Sequence, residues 1–273
     1  MDSPPTAGPW RFAADGEGYE RLMGRWSRRL AGPFLDFVGT GHDERVLDAG
    51  CGTGNLAFAV AERAPGGTVV AIDLAPSYIA QAERANRHAG VRFQVGDACA
   101  LDFPDRSFDR VLSLLVLHFV PRADAAIAEM RRVAKPGSVV GAAVWDARGG
   151  FVANRIFFDT AAALDPKAGE HRARNYTRPM TRPGDLGRAW RDAGFEDVVE
   201  TVLAIRMEFA DFVDYWTPYT GHDGPGAAYL ATLDDAGRAT LEEKVRAAYL
   251  DGETDGPRAY AALAWAVKGI VPV

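Results

Sequence analysis

Residues 46–55 read VLDAGCGTGN, and no other stretch constrains the fold as strongly. Small and apolar residues with one aspartate run into Gly50, Gly52 and Gly54, and the apolar segment LAFAVA at 56–61 follows at once. The pattern predicts a buried strand, a glycine turn and a helix start. Glycines lack a Cβ, so they take positive φ readily and let a ligand approach the backbone. The helix start behind them offers unpaired N–H groups. At the tip of a parallel strand, such a turn is where open α/β sheets bind ligands.

The spacing narrows the ligand. A dinucleotide fingerprint, G-x-G-x-x-G, would place its third glycine at position 55, and this chain has Asn55 there. Asp48, two residues before the first glycine, would repel a pyrophosphate but suits a cationic amine. The stretch TVVAID at 68–73 predicts a second strand ending in Asp73. An ionised carboxylate only accepts hydrogen bonds, so this acid can take both hydroxyls of a ribose. A ligand with an amine and an adenosine ribose but no phosphate is S-adenosylmethionine.

The segments DAGCGTG (48–54), AID (71–73), GDA (96–98), FDRVLSLLVLHFV (108–120) and KPGS (135–138) occur in this order. Together they resemble the class I S-adenosylmethionine-dependent methyltransferases, in particular the small-molecule branch that includes the ubiquinone/menaquinone-type enzymes. The resemblance covers residues 15–146 well and the remainder loosely. It implies a three-layer, Rossmann-like α/β fold: a seven-stranded sheet, mostly parallel with an antiparallel last strand, helices on both faces, and a helical cap or lid. It also implies that the cofactor is held by Asp48, Ala49, Gly50, Cys51, Gly52 and Asn55 at the first turn, and by Asp73 and Leu74 after the second strand. Gly96, Asp97 and Ala98 would follow the third strand, with Asp97 on the adenine amine and Ala98 offering a backbone N–H. Leu114 and Leu115 would face the sulfonium end. The N-terminal segment would fold over the methionine end, making Tyr19, Met23, Arg25 and Trp26 contacts, with Arg25 pairing the ligand carboxylate in a forked geometry. The alternative for that segment is an ordinary amphipathic helix with a solvated arginine, and for Asp97 a turn or helix cap.

With 273 residues, the chain suits one large α/β domain with an insertion, or one domain plus a small cap. The expected division is an N-terminal helical cap (1–40), a cofactor-binding core (41–146), a lid or substrate cap (147–183) and a C-terminal part of the sheet with a helical insertion (184–273). The opening residues MDSPPTAGPW are rich in proline and glycine, which predicts mobility, and lack the basic-then-apolar pattern of a secretory signal. No apolar run approaches the ~20 residues that span a bilayer. Cys51 and Cys99 are the only cysteines, so no disulfide framework or cysteine-rich metal site is expected, which fits the cytoplasm. A net charge of −6 disfavours a nucleic-acid partner.

Along the chain, residues 19–38 have helical spacing, which Gly32-Pro33 should divide into two helices. Helices are predicted at 55–64, 76–89 and 121–134, and strands at 46–49, 68–73, 91–95, 108–114 and 138–145. Residues 147–183 form a long connection with a helix at 152–164 and an excess of cations. Over 148–188 there are eight cations, Arg178 among them, against four acids, and some of the cations could bind an anionic substrate group. Beyond it the pattern predicts a helix at 184–193, a strand around 198–209, a helix at 211–216, a loop at 217–226, a helix at 237–250 and a final strand at 259–269. The acidic stretch 208–255 reads as exposed surface.

A sulfonium methyl is already an activated electrophile, so a general base is optional. His118, just past the fourth strand, is the candidate base; the alternative is a structural residue at a strand-to-helix junction. His171, Tyr176 and His222 are weaker candidates. Cys51 fits a small residue in the turn rather than a nucleophile, and no metal ligand set is apparent. The expected activity is methyl transfer to a small, fairly apolar acceptor. The alternatives are an NAD(P)-dependent oxidoreductase, a non-catalytic cofactor-binding protein, and an RNA or protein methyltransferase docking on the basic 148–188 region.

Overall fold

The computed structural model describes residues 16–221 and 224–273; the opening decapeptide and His222 lie outside these. Seven strands form one sheet: β1 (Arg45–Ala49), β2 (Thr68–Asp73), β3 (Val91–Val95), β4 (Phe108–Leu114), β5 (Ala134–Trp145), β6 (Glu196–Phe209) and β7 (Arg258–Ile270), in the order β3-β2-β1-β4-β5-β7-β6. Pairings from β3 through β5 are parallel, and β7 runs antiparallel to both β5 and β6. The order reverses at β1, so the tips of β1 and β4 border the crevice where such sheets hold ligands.

Strand periodicity sends alternate side chains to opposite faces. Val46 joins one apolar cluster, while Leu47 and Ala49 join a second. The first cluster is covered by α2 (Arg25–Val38) and α3 (Asn55–Arg63), and the second by α5 (Ala123–Val133) and α8 (Asp185–Asp192). Helix α4 (Pro76–Ala85) begins at a proline, whose missing N–H costs little there. It stops four residues before the expected end, because Asn86 turns extended and closes the loop through His88 N–H and the Val91 carbonyl.

Other boundaries also differ from the sequence pattern. Proline 33 does not divide its segment: α2 runs unbroken through it. Leu30, Ala31, Phe34, Leu35 and Val38 are all buried, and that packing outweighs the lost backbone hydrogen bond. Ahead of α2, a short α1 (Gly16–Tyr19) passes into a π-helical turn (Glu20–Gly24). Strand β5 starts at Ala134 instead of 138, with a register shift against β4 and Gly137 at φ +77° absorbing the extra residues.

Helix α6 (Val152–Leu164) falls where expected, but α7 (Pro166–Tyr176) was not anticipated. Asp165 caps it by accepting from Lys167 N–H at 2.9 Å, and Pro166 occupies its first turn. Between β6 and β7 lie α9 (Phe212–Trp216), a 3₁₀ turn (Thr217–Thr220), α10 (Gly224–Leu230) and α11 (Asp235–Leu250). The expected loop at 217–226 is therefore partly helical. This acidic stretch is not simply surface: Phe212, Tyr215, Trp216, Tyr229 and Tyr249 are buried, while its described acids are exposed or half-buried. No described helix is long and apolar enough to cross a membrane.

Candidate active site

The glycine turn leaves β1 with Gly50, Gly52 and Gly54 at φ +83°, +54° and +90°, a backbone region costly for any residue with a Cβ. The Gly50 and Cys51 amides both donate to the Ile72 carbonyl at 2.8 Å, which ties the turn to β2. A Cβ at Gly50 would lie 2.5 Å from Val116, and one at Gly54 2.8 Å from Phe93. At Gly52 the nearest neighbour would be the Tyr19 ring at 3.4 Å, so this backbone is covered by a side-chain ring. Cys51 is buried, and burial pushes its thiol far above the usual range, which removes it as a nucleophile.

Asp48 is 1% exposed, and neither of its carboxylate oxygens has a hydrogen-bond partner among the described residues. Burial first and the charge of Asp73 second push its carboxyl up to about 8, against a smaller opposing pull from the Ala57 amide in the first turn of α3. A buried acid without a partner is costly, and a cation would relieve it. Asp73, at the tip of β2, accepts from the Gly52 and Ala75 amides at 2.9 Å each. Burial raises its pKa against these bonds. Each oxygen accepts one bond from the protein and retains capacity for another, which suits a ribose diol.

The remaining rim follows the sheet. Leu74, next to Asp73, is 66% exposed. Gly96 donates to the Asp73 carbonyl at 3.0 Å, and Ala98 is half-buried. The Asp97 carboxylate accepts from the Cys99 amide at 2.8 Å, so it forms a turn of its own at the β3 tip. Leu114 is buried, and Leu115 holds φ +65° while donating to the Ala143 carbonyl at 2.7 Å. A leucine in the left-handed region is strained, and such residues cluster at functional sites.

The N-terminal helices close over this turn. Tyr19 packs on Tyr78 with ring centroids 4.7 Å apart, and burial with nearby Asp73 and Glu20 pushes its phenol up. Glu20 accepts from Thr53 Oγ1 at 2.7 Å and from Asn55 Nδ2 at 3.2 Å. Asn55 also donates to Ser27 Oγ at 3.1 Å. Position 55 therefore anchors a helix where a dinucleotide fold would need glycine. Arg25 behaves differently from the sequence expectation: its fork engages Asp214, with two contacts of 3.1 Å, and its guanidinium stacks on Trp26 at 4.2 Å. The clamp it makes joins α2 to α9.

Beside Tyr19 and Leu115 lies a cavity of about 100 Å³. Met23, Trp26, Trp145, Phe151, Phe158 and Phe209 supply much of its apolar wall. His118, Asn154, Asn175 and Arg178 supply polar groups. His118 is 4% exposed, with its ring 4.0 Å from Phe119 and no hydrogen bond at Nδ1 among the described residues. Burial, with Arg178 adding to it, holds the imidazole well below its usual range, so it is neutral at physiological pH. His171 and Tyr176 do not line the cavity: His171 packs near Tyr229, and the Tyr176 hydroxyl donates to Asp159. Asn154, Asn175 and Trp145 were not singled out from sequence. Their one signal was position: Trp145 ends β5, and Asn154 and Asn175 lie in the segment after it.

The methyltransferase-domain family model matches residues 46–137. Nocamycin O-methyltransferase of Saccharothrix syringae is 33% identical over 224 residues, covering 73% of this chain and 79% of that one. Demethylmenaquinone methyltransferase of Thermus thermophilus is 40% identical over 115 residues, covering 41% and 50%. An uncharacterized Mycobacterium tuberculosis protein is 37% identical over 123 residues, and the chain spans 44% of that relative's length. Among solved structures, a Haemonchus contortus phosphoethanolamine N-methyltransferase in complex with S-adenosylhomocysteine shares the fold, with TM-score 0.60, 18% identity and coverage of 94% of this chain and 57% of that one. Sequence kinship across most of an O-methyltransferase, and a family match that begins at the strand leading into the glycine turn, lead to one conclusion: the chain belongs to the class I S-adenosylmethionine-dependent methyltransferases.

Proposed function

We propose that the protein transfers a methyl group from S-adenosylmethionine to a small, largely apolar acceptor in the aromatic cavity. The observation that carries this is the buried, hydrogen-bond-free carboxyl of Asp48 beneath a glycine turn that adjoins the cavity through Tyr19. Asp48 is suited to the charge of the amino group, Asp73 to the ribose hydroxyls, and Asp97 with the Ala98 amide to the adenine edge. Gly96 and Leu74 complete the rim, and Leu114, Leu115 and Met23 adjoin the sulfonium end. Because Arg25 is engaged by Asp214, its role is to hold the cap closed; pairing with a ligand carboxylate would require breaking that clamp.

S-adenosylmethionine supplies an activated methyl group when bound. The chain supplies alignment: the cavity wall holds the acceptor beside the turn, and such positioning can be worth ~7–11 kcal/mol. The aromatic wall excludes water. A neutral His118 at the cavity's polar side can accept a proton from a hydroxyl acceptor or orient it by hydrogen bonding. The names of the relatives support oxygen as the methylated atom more than they support carbon, since the O-methyltransferase match spans the larger share of the chain.

Calorimetry with S-adenosylhomocysteine tests the reading. Binding is expected, and no binding to folded protein at millimolar ligand would overturn it. Fluorescence titration with NADH separates the oxidoreductase alternative, which Asn55 and Asp48 both oppose.

A further inference from the structure

The polar groups of the cavity wall differ in how they are tied. Nδ1 of His118 and Nε1 of Trp145 are buried in the wall without a hydrogen-bond partner among the described residues. Arg178 is engaged by its neighbours, with its guanidinium 4.1 Å from the centre of the Phe119 ring. Asn154 and Asn175 form a pair: Asn175 Nδ2 donates to Asn154 Oδ1 at 3.4 Å, and both side chains line the cavity.

Two helices carry the pair. Asn154 lies in the first turn of α6, and Asn175 in the last turn of α7. Tyr215 Oη donates to the Ala153 carbonyl at 2.9 Å, which fastens the start of α6 to α9. Asn175 is 5% exposed, and Asn154 is half-buried. A carboxamide carries two N–H donors and a carbonyl with two lone pairs. The contact uses one donor of Asn175 and one lone pair of Asn154, and among the described residues neither side-chain amide makes another hydrogen bond. The Asn175 carbonyl and the Asn154 NH2 are left beside each other. Turning both amides over exchanges their roles and leaves the same set, one carbonyl and one NH2. At 3.4 Å the contact is longer than the ordinary N–H···O range of ~2.7–3.2 Å, so a ligand competes with it at little cost. A buried polar group without a partner is costly, and a matching ligand edge would relieve it.

No aspartate, glutamate or lysine is among the residues that line the cavity, so an ammonium acceptor would find no counter-charge there. The amide pair suits a neutral group that offers an N–H to one side chain and a carbonyl to the other. The cis edge of a lactam or a primary carboxamide has this pattern. Resting on the methyltransferase reading, we infer that the acceptor carries a neutral lactam or carboxamide edge held by Asn154 and Asn175, with its apolar body among the aromatic rings.

Protein loaded with S-adenosylhomocysteine is titrated by calorimetry with two pairs of neutral probes, carbostyril with coumarin and cinnamamide with methyl cinnamate. Within each pair the body and the carbonyl are kept, and the second member lacks the N–H. At least one amide is expected to bind about tenfold or more tighter than its own ester, because the ester leaves an asparagine carbonyl unpaired. In Asn175→Leu that ratio should fall to near one, while S-adenosylhomocysteine affinity stays within about twofold of wild type. Asn154→Ala, at the half-buried position, should lower the ratio in the same way. Equal binding of amide and ester by the wild type, binding of neither amide at millimolar concentration, or a ratio that persists in a folded variant would each overturn the inference. Should Asn175→Leu fail to fold, the wild-type ratio and Asn154→Ala still decide it. Loss of S-adenosylhomocysteine binding by the wild type would instead overturn the methyltransferase reading itself.

Discussion

Asp48→Asn should make the ligand-free protein more stable at alkaline pH while weakening its hold on the cofactor. The native Asp48 carboxyl is raised to about 8, against an ordinary value of 3.8, by burial and by Asp73. The folded protein therefore keeps a proton that the unfolded chain releases above about pH 4. A group raised in this way contributes fully below its unfolded value, and its contribution declines as pH rises through the folded one. One extra bound proton gives a slope of about 1.4 kcal/mol per pH unit, so the span from about pH 4 to 8 amounts to on the order of 5 kcal/mol. Asparagine has nearly the same shape and does not titrate. Even a retained difference of about 2 kcal/mol would raise the midpoint of the variant by about 4–8 °C at pH 8 for a domain of this size. Asp73, also raised by burial, gives both proteins the same slope and cancels in the comparison. Thermal melts from pH 5 to 8.5 test this, and the two curves should converge at the acid end. Parallel curves would show that Asp48 is not protonated in the folded state. Added S-adenosylhomocysteine should stabilise the wild type more than the variant at pH 8, since its amine rewards the ionised carboxyl.

Asp73→Ala should weaken S-adenosylhomocysteine binding by more than about tenfold in calorimetry, through loss of the ribose acceptors and of the Gly52 tether; near-normal affinity would count against this placement of the ribose. Gly54→Ala forces a Cβ to within 2.8 Å of Phe93 at φ +90°, and urea melts should show a loss of about 1–3 kcal/mol, with no loss refuting the turn geometry. His118→Gln should lower kcat on an acceptor with a neutral hydroxyl by about a hundredfold while leaving cofactor affinity intact, whereas unchanged turnover would make the histidine purely structural. Arg25→Ala and Asp214→Ala, combined in a double-mutant cycle, should show coupling of about 0.2–1 kcal/mol, because both side chains are about a third exposed.

The sheet up to β4 was legible because its strands are short, apolar and punctuated by Gly and Pro, and the acids at or beyond their tips are plain in the residue order. The helix of 166–176 carried a readable signal in Asp165-Pro166, a cap followed by a first-turn proline, but the cationic surface of the segment obscured it. Pro33 misled in the opposite direction: a local rule predicted a break, and buried neighbours on three turns of helix prevailed. Asp214 was invisible as the partner of Arg25, since 189 positions separate them. Among the cations of 148–188, only three-dimensional packing could separate Arg178, facing inwards, from Arg155 and Arg172 on the outside.

The wall of the cavity is assembled from stretches far apart in the chain: Tyr19 to Trp26, the tips of β4 and β5, the α6–α7 pair, and the insert between β6 and β7. None of these lies on β1, β2 or β3, which carry the glycine turn and the three acids. Substitutions in these peripheral segments can therefore reshape the cavity while leaving the glycine turn and its acids untouched. Relatives that share less than half of the chain, as the Thermus thermophilus enzyme does, carry little information about the residues that line this cavity.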